Sequence, residues 1–278
     1  MDTIFDTIFP IIFFFFGAII GSFLNVVILR YRSGRSITSG RSVCFTCGRT
    51  LHWFEMIPIG SFLSQGGRCE GCKTKISWQY PIVEALTGTF FVLLYFHFQY
   101  LLISTPLLFV ILFTYYAIII SILLVLSVYD IRHKILPDRI VLYFVLLAFI
   151  GMFFVQGDSL VIHIPRYTQF LAGILLPAPF TAMWFLSKGK WMGLGDSKLM
   201  VGIGFLLGLS AGFTAILFSF WIGAIVSIII LIIFRIVGNR GVSLATAIPF
   251  GPFLALGTII VLLGEYNLLS IFRAFGGY

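Results

Sequence analysis

An all-α protein built into a lipid bilayer, with about eight spanning helices and one small polar module inserted after the first, is the fold this sequence predicts. Three observations lead there. Of 278 residues, 60% are hydrophobic and only 10% charged, with a mean hydropathy of +1.09, too little polarity to coat a water-soluble body of this length. The apolar residues gather into long runs, and roughly 20 such residues suffice for a helix to cross a bilayer. Between Arg30 and Tyr80 the composition switches to Arg, Ser, Gly and Cys, then switches back.

The first run, about Phe9 to Leu29, is preceded by Asp2 and Asp6 rather than by basic residues, and no small-residue cleavage site follows it. It reads as a retained helix and not as a secretory signal. The interval 30–80 holds too few large apolar residues to form a core unaided. Seven further runs follow, at about 81–99, 104–128, 139–156, 168–186, 197–210, 213–237 and 248–264. The expected domains are therefore a first helix over 1–29, a module over 30–80 and a membrane domain over 81–278. Gly17 and Gly21, Gly204 and Gly208, and Gly208 and Gly212 are each four apart, a spacing that lets membrane helices approach closely. Nothing resembles the paired inverted halves of a transporter.

The charges set an expected orientation. Of 18 Lys and Arg residues, eight lie in 30–75, three in 132–139, three in 188–198 and two in 235–240; only Arg166 and Arg273 fall on the opposite side if eight helices alternate. Basic loops face the cytoplasm, so the module is expected there and both termini outside. Contact with anionic lipid accounts for the net charge of +8, with no nucleic-acid partner needed.

All four cysteines lie in the module, as Cys44-Phe45-Thr46-Cys47 and Cys69-Glu70-Gly71-Cys72. Two thiolates three positions apart on a tight turn bind one metal from one side, and a second such turn completes a tetrahedron. A structural zinc on Cys44, Cys47, Cys69 and Cys72 follows, supplying folding energy that the small core lacks. Gly48 and Gly71 are expected to relax the backbone of the two turns. Four cysteines leave no open coordination position for catalysis, and His52, His97, His133 and His163 form no metalloprotease pair.

Two isolated acids carry the chemical interest. Asp130 ends the run closing in Leu126-Ser127-Val128-Tyr129, where it faces the negative pole of its helix. Asp196 stands in Gly193-Leu194-Gly195-Asp196 at the start of another helix, where N-capping is the default, and the two glycines would let an extended substrate backbone approach. Asp138, after Pro137, is expected to cap a helix N-terminus. Helix alternation puts Asp130 and Asp196 at one membrane face, as a two-acid mechanism requires. In such a pair one carboxyl keeps its proton and the other does not, so one activates water while the other polarises the scissile carbonyl. The formal nucleophile motif Gly208-Leu209-Ser210-Ala211-Gly212 lacks a strand-turn-helix setting and reads as a glycine-rich turn.

Six segments in order resemble the bacterial prepilin peptidases, membrane aspartic proteases that are also prepilin N-methyltransferases. They are Gly21-Ser22-Phe23-Leu24-Asn25-Val26-Val27, the paired cysteines, Ile76 through Glu84, Asp130 through Asp138, Gly193 through Lys198, and Ile248-Pro249-Phe250-Gly251-Pro252-Phe253. The resemblance implies that Asp130 and Asp196 are the catalytic pair and that Gly193, Gly195 and Lys198 meet substrate. It also implies cleavage of the basic leader of type IV prepilins or pseudopilins at the cytoplasmic face of a bacterial inner membrane. It further implies methylation of the new N-terminus with S-adenosylmethionine, for which Gly21, Asn25, Glu55 and Glu84 are the expected cofactor residues. Where relatives commonly read Asp-Asn-Ile-Pro, this chain has Glu55-Met56-Ile57-Pro58. The competing readings are a peptidase without methyl transfer, a cation transporter and a non-catalytic assembly scaffold.

Overall fold

The computed structural model describes residues 7–156, 159–160, 164–165, 167–236, 249–264 and 266. Expectations for Asp2, Asp6, His163, Arg166, Arg240, Ile248 and Arg273 lie outside the described residues. The chain divides into two compact units, Met1–Val125 and Leu126–Tyr278.

In the first unit, α1 (Phe9–Arg30) packs along α3 (Gln79–Ser104). Glycine makes this possible. A Cβ on Gly17 would lie 2.8 Å from the Gly88 Cα, and one on Gly21 would lie 2.8 Å from the Glu84 Cα. The backbones therefore meet directly, which suits a medium where lipid is as apolar as leucine and close van der Waals contact drives helix association. Phe13 locks the other end of the contact, with its ring 5.0 Å from Tyr95 and 4.8 Å from Phe113 of α4 (Pro106–His133). Between α1 and α3 lie a 3-10 turn (Trp53–Met56) and the one-turn α2 (Gly60–Ser64).

In the second unit, α5 (Asp138–Phe154) leads to a small antiparallel ribbon, β1 (Val155–Gln156) with β2 (Ser159–Leu160), which the all-α expectation did not contain. The run 168–186 is two helices, α6 (Tyr167–Leu175) and α7 (Ala178–Ser187), parted at Pro177, whose ring cannot continue the α6 ladder. Then α8 (Leu194–Ile236) and α9 (Gly251–Gly264) complete the unit.

α8 is two limbs. Gly208 has φ 75° and ψ −175°, a conformation only glycine adopts readily. A Cβ on Gly212 would lie 3.9 Å from the Gly204 Cα, whereas residues eight apart on a straight helix are about 12 Å apart. The chain turns back on itself there. The limb before Gly208 packs Gly202 on Phe144 and Gly204 on the Ala172 backbone, and the limb after it packs Ser219 and Ala215 against Gly257 of α9. Gly208 through Gly212 is thus a reversal between helical limbs. Among the described residues, each of the eight expected runs is mostly helical, and five helical stretches are long and apolar enough to cross a membrane: Phe9–Arg30, Gln79–Ser104, Pro106–His133, Tyr167–Ser187 and Leu194–Ile236.

Gly17→Leu forces a side chain where Gly88 backbone now lies. The expected cost is about 1–3 kcal/mol, as for overpacking of a tight core, read as a lowered unfolding midpoint of the purified protein in detergent.

Candidate active site and metal centre

Asp130 lies in the last turn of α4 and is 5% exposed. A carboxylate there faces the carbonyl end of its own helix. The compensation comes from α9, whose first residue, Gly251, donates its backbone N–H to the Asp130 Oδ2 at 3.1 Å. That N–H is one of the four that a helix start leaves without an intrahelical partner, and the positive pole of α9 accompanies it. A Cβ on residue 251 would approach Oδ2 to 2.7 Å, so only glycine brings the backbone this near.

Asp196 sits in the first turn of α8 instead of capping it, because the helix already begins at Leu194. Leu136 lies between the two glycines that neighbour the acids. This buried side chain stands between Gly195, whose Cβ position is 3.3 Å from Leu136 Cδ1, and Gly251, whose Cβ position is 3.2 Å from Leu136 Cδ2. Asp130 and Asp196 lie within electrostatic reach of one another. Gly193 is exposed, and its Cβ position is 4.0 Å from Asp196 Oδ2 with only Gly195 N equally near, so the approach to the acid is open on that side.

One expected role changes. Asp138 is not an N-cap, since α5 starts at Asp138 itself, with the amides of Ile140 and Val141 bonded to the Pro137 carbonyl. Its carboxylate instead accepts a 2.7 Å ion-paired bond from Lys198, and both side chains are well exposed. Such pairs contribute little stability.

The cysteine module is built as two matching loops. Isolated bridges Val43↔Thr50 and Arg68↔Lys75 close them, and the Cys44 and Cys69 carbonyls accept N–H bonds from Gly48 and Lys73. Gly48 takes φ +72° as expected, but in the second loop the left-handed residue is Lys73, at φ 57°. Gly71 lies close under the Arg49 side chain, where a Cβ would be 3.0 Å from Arg49 Nε. The four Sγ atoms lie within 4.8 Å of one another, with Cys44 and Cys72 at 3.8 Å. That separation matches the edge of a tetrahedron with bonds of about 2.3 Å to zinc, roughly 3.8 Å. Backbone N–H groups of Cys72 and Gly71 pull Cys69 down to about 6, whereas Cys47 is pushed up to about 11 by the Cys44 thiol despite the Arg49 N–H. The set suits a thiophilic cation that would take up the charge of all four.

The four residues expected around S-adenosylmethionine have these positions. Gly21 is filled by the α3 backbone. The Asn25 amide donates to the Gly21 and Tyr80 carbonyls and accepts from Gln79 Nε2. The buried Glu84 carboxylate accepts the Ile59 N–H at 2.7 Å. Glu55 lies in the 3-10 turn, accepts the His52 N–H at 2.8 Å and is ion-paired with Arg49. Gly21, Asn25 and Glu84 thus share the α1/α3 junction, while Glu55 ties the module together. Leu136, the Gly251 N–H and the Glu84 bond to Ile59 were not anticipated. For Gly251 a signal existed: Gly251-Pro252 opens an apolar run, and proline favours a helix start whose first N–H groups are unbonded.

Residues 15–98 match the bacterial Peptidase A24 N-terminal domain, and residues 117–228 match the type IV leader peptidase family. The prepilin leader peptidase/N-methyltransferase of Bacillus subtilis is 31% identical, over 94% of this chain and 96% of that protein. The chain belongs to the type IV leader peptidase family. Proteins of the same name from Xanthomonas campestris and Pseudomonas aeruginosa are 31% and 29% identical, each over 94% of this chain and 93% and 92% of their own lengths. No solved structure matches it.

Burial would raise the Glu55 carboxyl, but the His52 N–H and the Arg49 guanidinium outweigh it and hold the group below its ordinary value. A lowered value means the stabilisation is complete above the ordinary glutamate range and is lost as pH falls through the folded value. Glu55→Gln is expected to cost about 1–3 kcal/mol near neutrality, seen as faster amide exchange in residues 44–57. The difference from wild type should vanish on acidification below that range.

Proposed function

We propose that this chain cleaves the leader peptide of type IV prepilins or pseudopilins with Asp130 and Asp196 and N-methylates the product. The observation that carries it is that Leu136 packs on both Gly195, next to Asp196, and Gly251, whose N–H holds Asp130, with the two acids in electrostatic reach, in a member of this family. The ionised carboxyl takes a proton from water as the oxygen attacks the scissile carbonyl, while the protonated one hydrogen-bonds the carbonyl oxygen. As the C–N bond breaks, the leaving nitrogen receives a proton and the pair again holds one. The two titrate as a unit, so neither is assigned the proton. Gly193 and Gly195 form the ledge on which the substrate backbone lies beside Asp196, and Lys198 acts through Asp138.

The same reading includes eight crossings, with α8 contributing two, both termini outside and the acids facing the cytoplasm of a bacterial inner membrane. The supports are the reversal at Gly208 and the sixteen-to-two charge asymmetry. Zinc is the cation suited to the four cysteines. S-adenosylmethionine, when bound, would supply an electrophilic methyl group to the new N-terminal amine. Its contacts are proposed at Gly21, Asn25, Glu55 and Glu84: the Asn25 amide and Glu84 carboxylate at the α1/α3 junction suit its polar and cationic parts, Gly21 lies at the same junction, and Glu55 lies in the module.

Asp130→Asn and Asp196→Asn are each expected to lower leader cleavage of a purified prepilin by roughly 10²–10⁴-fold, with the unfolding midpoint kept. Gly251→Ala should lower it too, by at least tenfold, by displacing Asp130; undiminished cleavage in either aspartate variant defeats the dyad. The purified chain should carry one zinc per molecule by elemental analysis. In Asp130→Asn, methyl transfer from labelled S-adenosylmethionine to pre-cleaved pilin should persist.

A further inference from the structure

We infer that the segment Trp53–Ser64 lies in the headgroup region of the leaflet on the module's side, as an interfacial finger contacting anionic lipid. The argument begins at Ile59. This residue has φ 60° and ψ −49°, a conformation that is an outlier for a β-branched side chain. It is the centre of a tight γ-turn, with the Gly60 N–H on the Pro58 carbonyl at 2.5 Å. What holds it is Glu84, which accepts the Ile59 N–H.

That bond fixes depth. Glu84 is five residues into α3, about 7.5 Å along the helix at 1.5 Å per residue. The 26 residues of α3 measure about 39 Å against a hydrocarbon core of roughly 30 Å. A centred α3 therefore leaves about 4–5 Å of each end among headgroups, which puts Glu84 near the hydrocarbon boundary. The loop that touches it is carried to the same level.

The side chains flanking Ile59 suit that level and not water. Trp53 is 76% exposed, Leu63 67% and Trp78 67%, and Phe54, Met56 and Ile57 are exposed too. A five-residue helix and a single 3-10 turn have little reason to present so many large apolar groups to solvent. Tryptophan is the residue most at home in the interface, and Trp78 stands at the first turn of a spanning helix. The charge is complementary as well: residues 30–75 carry eight basic side chains against Glu55 and Glu70, and juxtamembrane basic residues are drawn to anionic headgroups. A prepilin would also find apolar groups here, but it would not require the turn to be pinned at the membrane boundary.

The test uses the full chain in nanodiscs of phosphatidylglycerol and phosphatidylcholine, with Trp78, Trp184, Trp191 and Trp221 changed to Phe so that Trp53 alone emits. Lipids brominated near the top of the acyl chains should quench Trp53 emission at least twofold, and aqueous iodide should quench it weakly. Strong iodide quenching with no effect of bromolipid overturns the proposal. So does shielding that arises only when a prepilin is added, which assigns the surface to a protein. If the fourfold variant does not fold, the difference in bromolipid quenching between wild type and Trp53→Phe reads the same residue.

Discussion

A carboxylate buried at the carbonyl end of a membrane helix needs a donor that its own helix cannot provide, and in the second unit α9 provides it. The bond from Gly251 to Asp130 fixes where α9 begins relative to the end of α4. It also makes residue 251 glycine by necessity, since a Cβ would collide with the carboxylate. The short link from Lys134 to Pro137 then places Leu136 between Gly251 and Gly195, the residue before Asp196. One hydrogen bond and one leucine thereby connect the ends of α4, α8 and α9 that carry or neighbour the two acids.

Glycine plays a second part away from the acids. Lipid gives helices no hydrophobic reason to leave it for one another, so association rests on close contact. α1 meets α3 at Gly17 and Gly21, α8 meets α6 at Gly204, and α9 meets α8 at Gly257, each with backbone at the spot where a Cβ would sit. Gly208 differs, because its dihedral angles reverse the chain so that one apolar stretch becomes two limbs.

The cysteine module follows another logic. It has few buried apolar groups, so bonds of higher energy per residue replace a core: four thiols around one point, Glu55 with Arg49, and Glu84 with Ile59. The Glu84 bond has a double effect, stabilising a strained turn and joining the module to α3. Strain of this kind persists only where the surroundings over-determine it.

Much of this was legible in the chain. Apolar run length marked the long helices, because a spanning helix must satisfy its backbone within one continuous segment. The doubled Cys-x-x-Cys spacing marked the thiol cluster, because short loops with two sulfurs aim both to one side. Asp130 and Asp196 stood out as acids at the ends of apolar runs. Less legible were Asp138, which pairs with Lys198, and the second cysteine loop, where Lys73 and not Gly71 takes the left-handed conformation. The first depends on a neighbour sixty residues away, and the second on which residue of one local turn takes the left-handed position.

By itself, then, the sequence determined the medium, the helices, the thiol cluster and the pair of isolated acids, since these follow from local periodicity and residue chemistry. Tertiary structure alone decided that Gly251 holds Asp130, that Leu136 packs on both Gly195 and Gly251, and that Glu84 holds Ile59. Such contacts join residues tens of positions apart at distances of a few ångströms. No local pattern encodes them, because they exist only once helix backbones have packed to the limit that their glycines allow.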